Sequence, residues 1–309
     1  MIEKQIEQFK SNQTTFVFFI VNPITAIISR LIIEYFKLEK NKILIVSFRN
    51  TPIDFLNYPH LTISLNRVKS ILQKLFFFSS GGIKILKKIN NNFVLFTSWA
   101  FRESNWLINS NKCQGHFYIE EGQGSYMLYR PFNYSKISFL TFIMNNFKNR
   151  INNGEKTSYF YRDDSLGFIG VLPICFPIIE KNKKLILKNI SLLKKIYKPK
   201  TIGIKNIALG CAERRLLNKN WYPMIEKMIR ILPEGGIIKL HPSFYIYDEK
   251  IKKIKSYLAN KTNNRIQLCD ADVILEAEML FEKKTFYGPQ TSLLFYAKHF
   301  GSNFVSINL

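Results

Sequence analysis

The sequence predicts two α/β domains, each built on a parallel β-sheet, and three observations carry that expectation. The chain has 309 residues, 47% of them hydrophobic, which is long for one core and enough for two domains of roughly 150 residues each. Short β-branched and aromatic runs alternate with helical segments along the whole chain, as successive βαβ units require. Many of these runs stop at turn-forming or polar residues, which mark strand ends.

Thr15–Val21 (TFVFFIV) reads as a buried strand. Asn22-Pro23 breaks it, and a helix is expected from about Ile24 to Phe36. Ile43–Ser47 and Leu61–Leu65 read as strands. Arg67–Ile89 reads as largely helical with a break around Ser79-Ser80-Gly81-Gly82. Phe93–Thr97 and His116–Ile119 are further strands, the latter ending at Glu120-Glu121-Gly122. In the second half, strands are expected at Ile204–Leu209, Ile237–Leu240, Arg265–Leu268, Thr285–Tyr287 and Phe304–Ile307. Helices are expected at Trp221–Ile231, Asp248–Leu258, Asp272–Leu280 and Leu293–Phe300. The division follows: an N-terminal domain over 1–155, a linker region over 156–200 and a C-terminal domain over 201–309.

The charge balance is strongly basic, with 45 Lys plus Arg against 22 Asp plus Glu, a net charge of +23. Such a chain attracts polyanions: nucleic acid, an anionic membrane or a nucleotide-bearing substrate. A nucleic-acid-binding protein is one competing reading. It lacks a recognition motif, and the aromatics sit in apolar strands rather than among Lys and Arg, so no nucleic-acid partner is expected. Lys181–Lys200 carries eight lysines and no acid. Ile186, Ile190, Leu193 and Tyr197 share a face at helical spacing. This stretch reads either as a basic amphipathic helix lying on an anionic membrane or as an interdomain helix with solvated lysines.

Cys113, Cys175, Cys211 and Cys269 are far apart, without metal-ligand spacing, so reduced thiols of a cytoplasmic protein are expected rather than a disulfide framework or zinc site. Met1–Gln13 is polar, unlike a signal peptide. The apolar run Phe16–Ile33 is interrupted by Asn22, Pro23 and Arg30, and a spanning helix needs about 20 largely apolar residues.

Ligands of open α/β sheets bind at the carboxyl ends of the strands. That rule selects Asn22-Pro23, Glu120-Glu121-Gly122, His241-Pro242 and Thr291-Ser292, two sites in each half, expected to face each other across an interdomain cleft. Adjacent carboxylates repel, which raises the pKa of one and suits it to general base work. Gly122 and Gly124 let the backbone turn close to a ligand. The plain alternative is a solvated acidic turn. His241 suits a departing phosphate near neutral pH, and Pro242 restricts it to extended backbone; the alternative is a strand-ending histidine with a backbone partner. Thr291-Ser292 before a helix offers hydroxyls and N–H groups to a phosphate, or serves as an ordinary N-cap. Asp270-Ala271-Asp272 has metal-nucleotide spacing but is better explained by capping and the dipole of the helix it is expected to open. Asp163-Asp164 reads as a solvated turn.

An acidic pair with Gly, then His-Pro, then a Ser/Thr pair, here Glu120-Glu121-Gly122, His241-Pro242 and Thr291-Ser292, resembles the motif set of bacterial sialyltransferases in glycosyltransferase families 38 and 52, related to family 80. The resemblance implies a GT-B fold of two Rossmann-like domains, a metal-independent inverting transfer and no cofactor. It implies CMP-sialic acid as donor and a cell-surface glycan such as lipooligosaccharide or capsule as acceptor. Glu120 would be the general base, with His241, Thr291 and Ser292 on the CMP phosphate. Asn22, Glu121, Gly122 and Pro242 would complete the donor site. Many relatives have Asp in the acidic pair, so whether Glu120 or Glu121 reaches the acceptor stays open. A GT-B transferase of another CMP-linked acidic sugar, or of a UDP- or GDP-sugar, is the alternative. The expected location is the inner face of the cytoplasmic membrane, with an anionic surface as partner.

Overall fold

The computed structural model describes residues 1–48, 57–63, 84–100, 102–133, 150–152, 155–157, 160–210, 221–245 and 247–307. Most of the expected helix over Arg67–Ile89, with its Ser-Ser-Gly-Gly break, lies outside the described residues, as does Cys211. The chain divides into two compact units, Met1–Leu193 and Lys194–Leu309.

The first unit holds a seven-stranded sheet of β1 (Thr15–Ile20), β2 (Ile43–Phe48), β3 (His60–Ile63), β4 (Phe93–Thr97), β5 (Cys113–Ile119), β8 (Gly167–Gly170) and β9 (Lys184–Ile186), in the order β3-β2-β1-β4-β5-β8-β9. Every pairing in it is parallel. A separate antiparallel pair joins β6 (Arg150–Asn152) to β7 (Glu155–Thr157). Parallel strands covered on both faces read as continuous apolar runs, and that is why TFVFFI and FVLFT lie at the centre: Phe16–Ile20 and all of β4 are buried. Register places Phe18 opposite Phe96 and Phe96 opposite Phe117. Their rings stack at 4.5 and 5.2 Å, each pair worth about 0.5–1.5 kcal/mol beyond its buried area. Helix α1 (Ile2–Ser11) was not anticipated; its apolar residues are the buried Ile2 and Ile6 and the half-buried Phe9. Helix α2 (Pro23–Tyr35) follows β1, and α3 (Arg102–Ile108) lies between β4 and β5.

The second unit repeats the plan. Strands β10 (Asn206–Leu209), β11 (Gly236–Lys239), β12 (Ile266–Leu268), β13 (Thr285–Gly288) and β14 (Asn303–Ser306) form a parallel sheet in the order β12-β11-β10-β13-β14. Helices α4 (Tyr222–Ile231), α5 (Asp248–Thr262), α6 (Leu275–Glu278) and α7 (Leu293–Phe300) join the strands. Both sheets start in the middle, grow to one side and then return to grow on the other, which is the Rossmann-like order.

Two features depart from expectation. The stretch 156–200, expected as a linker, carries β8 and β9, which extend the first sheet beside β5. Lys181–Lys200 is no continuous α-helix: it runs through a 3₁₀ turn (Lys181–Lys183), β9 and a second 3₁₀ segment (Ile190–Lys195). Ile186 sits in an edge strand, so the shared helical face does not form. Among the described residues no helix is long and apolar enough to cross a membrane.

Candidate functional site

In each sheet the strand order reverses beside the first strand, between β1 and β4 and between β10 and β13. Adjacent loops diverge at such a point and leave a crevice at the carboxyl ends. Asn22 follows β1, and Thr291-Ser292 follow β13. Glu120-Glu121 follow β5, two strands from β1, and His241-Pro242 follow β11, two strands from β13.

In the first unit the expected residues are joined by hydrogen bonds. Asn22 caps α2. Its Oδ1 accepts from the Thr25 N–H at 2.9 Å, and the Asn22 N–H donates to Thr25 Oγ1 at 3.1 Å, a reciprocal box with Pro23 at the first helical position. Asn22 Nδ2 donates to the main-chain oxygen of Glu121 at 2.6 Å and to its Oε2 at 3.3 Å. Glu120 and Glu121 have different surroundings. Glu120 is fully buried. Its Oε1 accepts from the Tyr126 hydroxyl, and its Oε2 accepts from the N–H groups of Val171 at 2.6 Å and Leu172 at 3.3 Å. It fastens the start of the loop after β8 to the end of β5. Gly170 allows that approach, because a Cβ there would lie 2.7 Å from Glu120 Oε2. Glu121 is half-buried. Its Oε1 accepts from the Gly124 N–H at 3.1 Å, and its own N–H donates to the buried Ser125 hydroxyl at 2.9 Å. Between them and the 3₁₀ turn that follows, Gly122 adopts φ 122°, which favours glycine. Ser125 and Tyr126 are parts of this arrangement that sequence reasoning gave no role. Their signal was adjacency to the acidic pair.

In the second unit His241 and Pro242 are exposed at the end of β11. The loop that carries them is fixed. The Phe244 N–H bonds to His241 O at 2.9 Å, and the Tyr245 hydroxyl donates to Cys269 O at 2.6 Å. Lys239 donates to Ala271 O at 3.0 Å and to Asp270 O at 2.5 Å, and burial lowers its pKa. Thr291 and Ser292 are half-buried. Thr291 Oγ1 accepts from the Leu293 N–H at 3.2 Å, and the side chain of Ser292, the N-cap of α7, makes no cap bond. A hydroxyl that accepts one bond still has its proton to donate.

Asp270 and Asp272 do not open a helix, since α6 begins only at Leu275. Asp270 Oδ1 pairs with Lys255 at 3.1 Å, and Asp272 pairs with Lys200. Among the described residues no group of three or more His, Cys, Asp or Glu could hold a metal ion. Asp164 is bound by Arg162 rather than simply solvated, with Arg162 Nε at 2.9 Å from Oδ1.

No family model matches the sequence, and no curated protein matches it. Solved structures match in fold. S. aureus MnaA, in a structure with UDP, aligns over 96% of this chain and 79% of its own, at a TM-score of 0.55 and 10% identity. The UDP-GlcNAc 2-epimerase of Neisseria meningitidis, bound to UDP-GlcNAc, aligns over 95% of this chain and 83% of its own, at a TM-score of 0.50 and 12% identity. The fold is GT-B-like. The resemblance to sialyltransferases is overturned: the chains that share this fold along nearly all of its length include a UDP-GlcNAc 2-epimerase, and no sialyltransferase family model matches. Three dipeptides at strand ends are a property of the shared architecture, where ligand-facing residues recur after the same strands. They do not select the nucleotide.

Proposed function

We propose that this chain is a GT-B-like enzyme acting on a UDP-sugar, with the diphosphate held by His241, Thr291 and Ser292 at the carboxyl ends of the second sheet. The observation that carries the reading is the placement of these residues. An exposed histidine follows β11, and two hydroxyl side chains follow β13, beside the point where the strand order reverses. The fold relatives with UDP and with UDP-GlcNAc bound support uridine as the nucleoside.

The reaction we propose is sugar transfer to a hydroxyl. The acceptor O–H gives its proton to Glu121, its oxygen bonds the sugar's anomeric carbon, and the bond from that carbon to the diphosphate breaks. UDP leaves with the electron pair, and His241 and the two hydroxyls stabilise the charge that develops on it. Glu121 is the better base of the two because it is half-buried, whereas Glu120 is fully buried and its carboxylate holds the Tyr126 hydroxyl and the N–H groups of Val171 and Leu172.

The test is calorimetry with UDP, UDP-GlcNAc, CMP and GDP, followed by product analysis. UDP is expected to bind more tightly than CMP or GDP. Thr291→Ala/Ser292→Ala should weaken UDP by about 1–3 kcal/mol, and His241→Ala should lower turnover by roughly 10²–10³-fold. Unchanged UDP affinity in the Thr291/Ser292 variant and unchanged turnover in the His241 variant would sink the phosphate site. An isomerised UDP-sugar without acceptor-dependent UDP release would replace transfer by epimerisation.

A further inference from the structure

Turn corners normally carry Gly, Asn, Asp or Ser, because their side chains meet water and their backbone needs freedom. After β8 the chain does the reverse. Leu172-Pro173-Ile174-Cys175 and Phe176-Pro177-Ile178-Ile179 form two successive turns, each closed by an N–H to carbonyl bond of 3.0 Å from the fourth residue to the first. Proline holds the second position of both, where its fixed φ fits, and isoleucine holds the third. The first and fourth residues of both turns are buried, while Ile174 is 51% and Ile178 38% exposed. The Phe176 N–H bonds to Ser125 O at 2.6 Å, which joins this pair of turns to the loop where Leu128 is 68% exposed. Arg130 on that loop and Lys181 and Lys183 after the second turn are exposed as well.

Local propensity does not explain isoleucine at both corners, and neither does burial. Exposed apolar side chains gathered on neighbouring loops with cations around them mark an interaction surface. We propose that these loops dock on an anionic lipid bilayer, with Ile174, Ile178 and Leu128 entering the boundary between headgroups and acyl chains and the cations meeting lipid phosphates. Charge selects this occupant. From Ser165 to Lys200 the chain has eight lysines and one acid, Glu180, and the whole chain carries +23. The contact assigns membrane attachment to turn corners of the first unit instead of the amphipathic helix expected over Lys181–Lys200. It stands apart from the UDP-sugar reading, because it is measured without substrate.

The experiment is co-sedimentation of the full chain with vesicles of phosphatidylcholine alone or with phosphatidylglycerol added. The chain is expected to bind only the anionic vesicles and to be released at high salt. Ile174→Asp/Ile178→Asp should lower vesicle affinity by roughly tenfold or more. Val305→Asp, which alters an exposed apolar residue of the second unit, should leave it unchanged. Ile174→Ser/Ile178→Ser guards against a folding defect and should weaken binding in the same direction. Binding of the Asp and Ser double variants equal to wild type overturns the proposal, as does equal binding to neutral vesicles. A wild-type dimer that the Asp double variant dissociates, with no vesicle binding, assigns the surface to a second copy of the chain instead.

Discussion

Asn22 Nδ2 donates to the main-chain oxygen of Glu121 at 2.6 Å, tying the turn after β1 to the turn after β5 across the intervening strand β4. The same side chain caps α2 through Oδ1, so two substitutions separate its roles. Asn22→Asp keeps a capping oxygen but loses the donor and sets a carboxylate beside Glu121. Asn22→Ala loses the cap as well. Alanine should cost about 1–3 kcal/mol in urea unfolding, and aspartate should fall between alanine and wild type. An Asp variant as stable as wild type would remove the tether from the account.

Glu120 and Glu121 should separate stability from turnover. Glu120→Ala leaves the Tyr126 hydroxyl and the N–H groups of Val171 and Leu172 without their acceptor in a buried site, at about 1–3 kcal/mol for each unsatisfied group. Glu121→Gln keeps an oxygen for Gly124 and should unfold near the wild-type midpoint while turnover falls by roughly 10²-fold. Full turnover in Glu121→Gln, with a folded but inactive Glu120→Gln, would return the base to Glu120.

Asp270 and Asp272 each pair with a lysine, Lys255 and Lys200. Asp270→Asn/Asp272→Asn is therefore expected to lose at most about 1 kcal/mol of stability for each pair, the range of exposed ion pairs, and to keep its activity, with or without EDTA. Activity lost in EDTA and restored by manganese in wild type, but not in this variant, would make the two carboxylates metal ligands.

The central strands were legible because they are parallel and largely buried, and the β-branched and aromatic runs at β1 and β4 have no polar face to dilute them. The strand-end positions were legible for the same reason. The roles of the side chains there were not. Glu120 and Glu121 are identical neighbours in sequence, and only the loop after β8, which arrives with the N–H groups of Val171 and Leu172, makes one of them structural. Lys181–Lys200 misled because a periodicity of apolar residues fits a helix equally well when the backbone is an edge strand flanked by 3₁₀ turns. Glu278 gave no signal at all. It lies in the short helix α6, and its buried carboxylate accepts from Tyr197, Lys200 and Thr201, residues 77 to 81 positions earlier.

His116 makes the acid stability of the first unit predictable. It points from β5 into a buried site where its Nε2 has no hydrogen-bond partner among the described residues and lies 3.9 Å from Asp164 Oδ1. Arg162, itself buried, bonds Asp164 through Nε and Nη2 and reaches Asn109 Oδ1 at 2.9 Å and Asn105 Oδ1 at 3.3 Å. Burial lowers the His116 pKa from 6.5 to about 4, with Asp164 opposing the shift and Arg162 adding to it. Between those two values the unfolded chain binds a proton that the folded chain refuses. The contribution is therefore fully present above the unfolded pKa, declines as pH falls through that window and is gone below about 4. The shift corresponds to roughly 3 kcal/mol. Asp164, whose pKa is lowered chiefly by its bonds to Arg162 against the opposing effect of burial, acts at still lower pH. Chemical denaturation from pH 7 to 4 should show wild-type stability falling through the window, whereas His116→Leu, whatever its baseline, should lose most of that slope. An identical slope in the variant would assign the acid sensitivity to other groups.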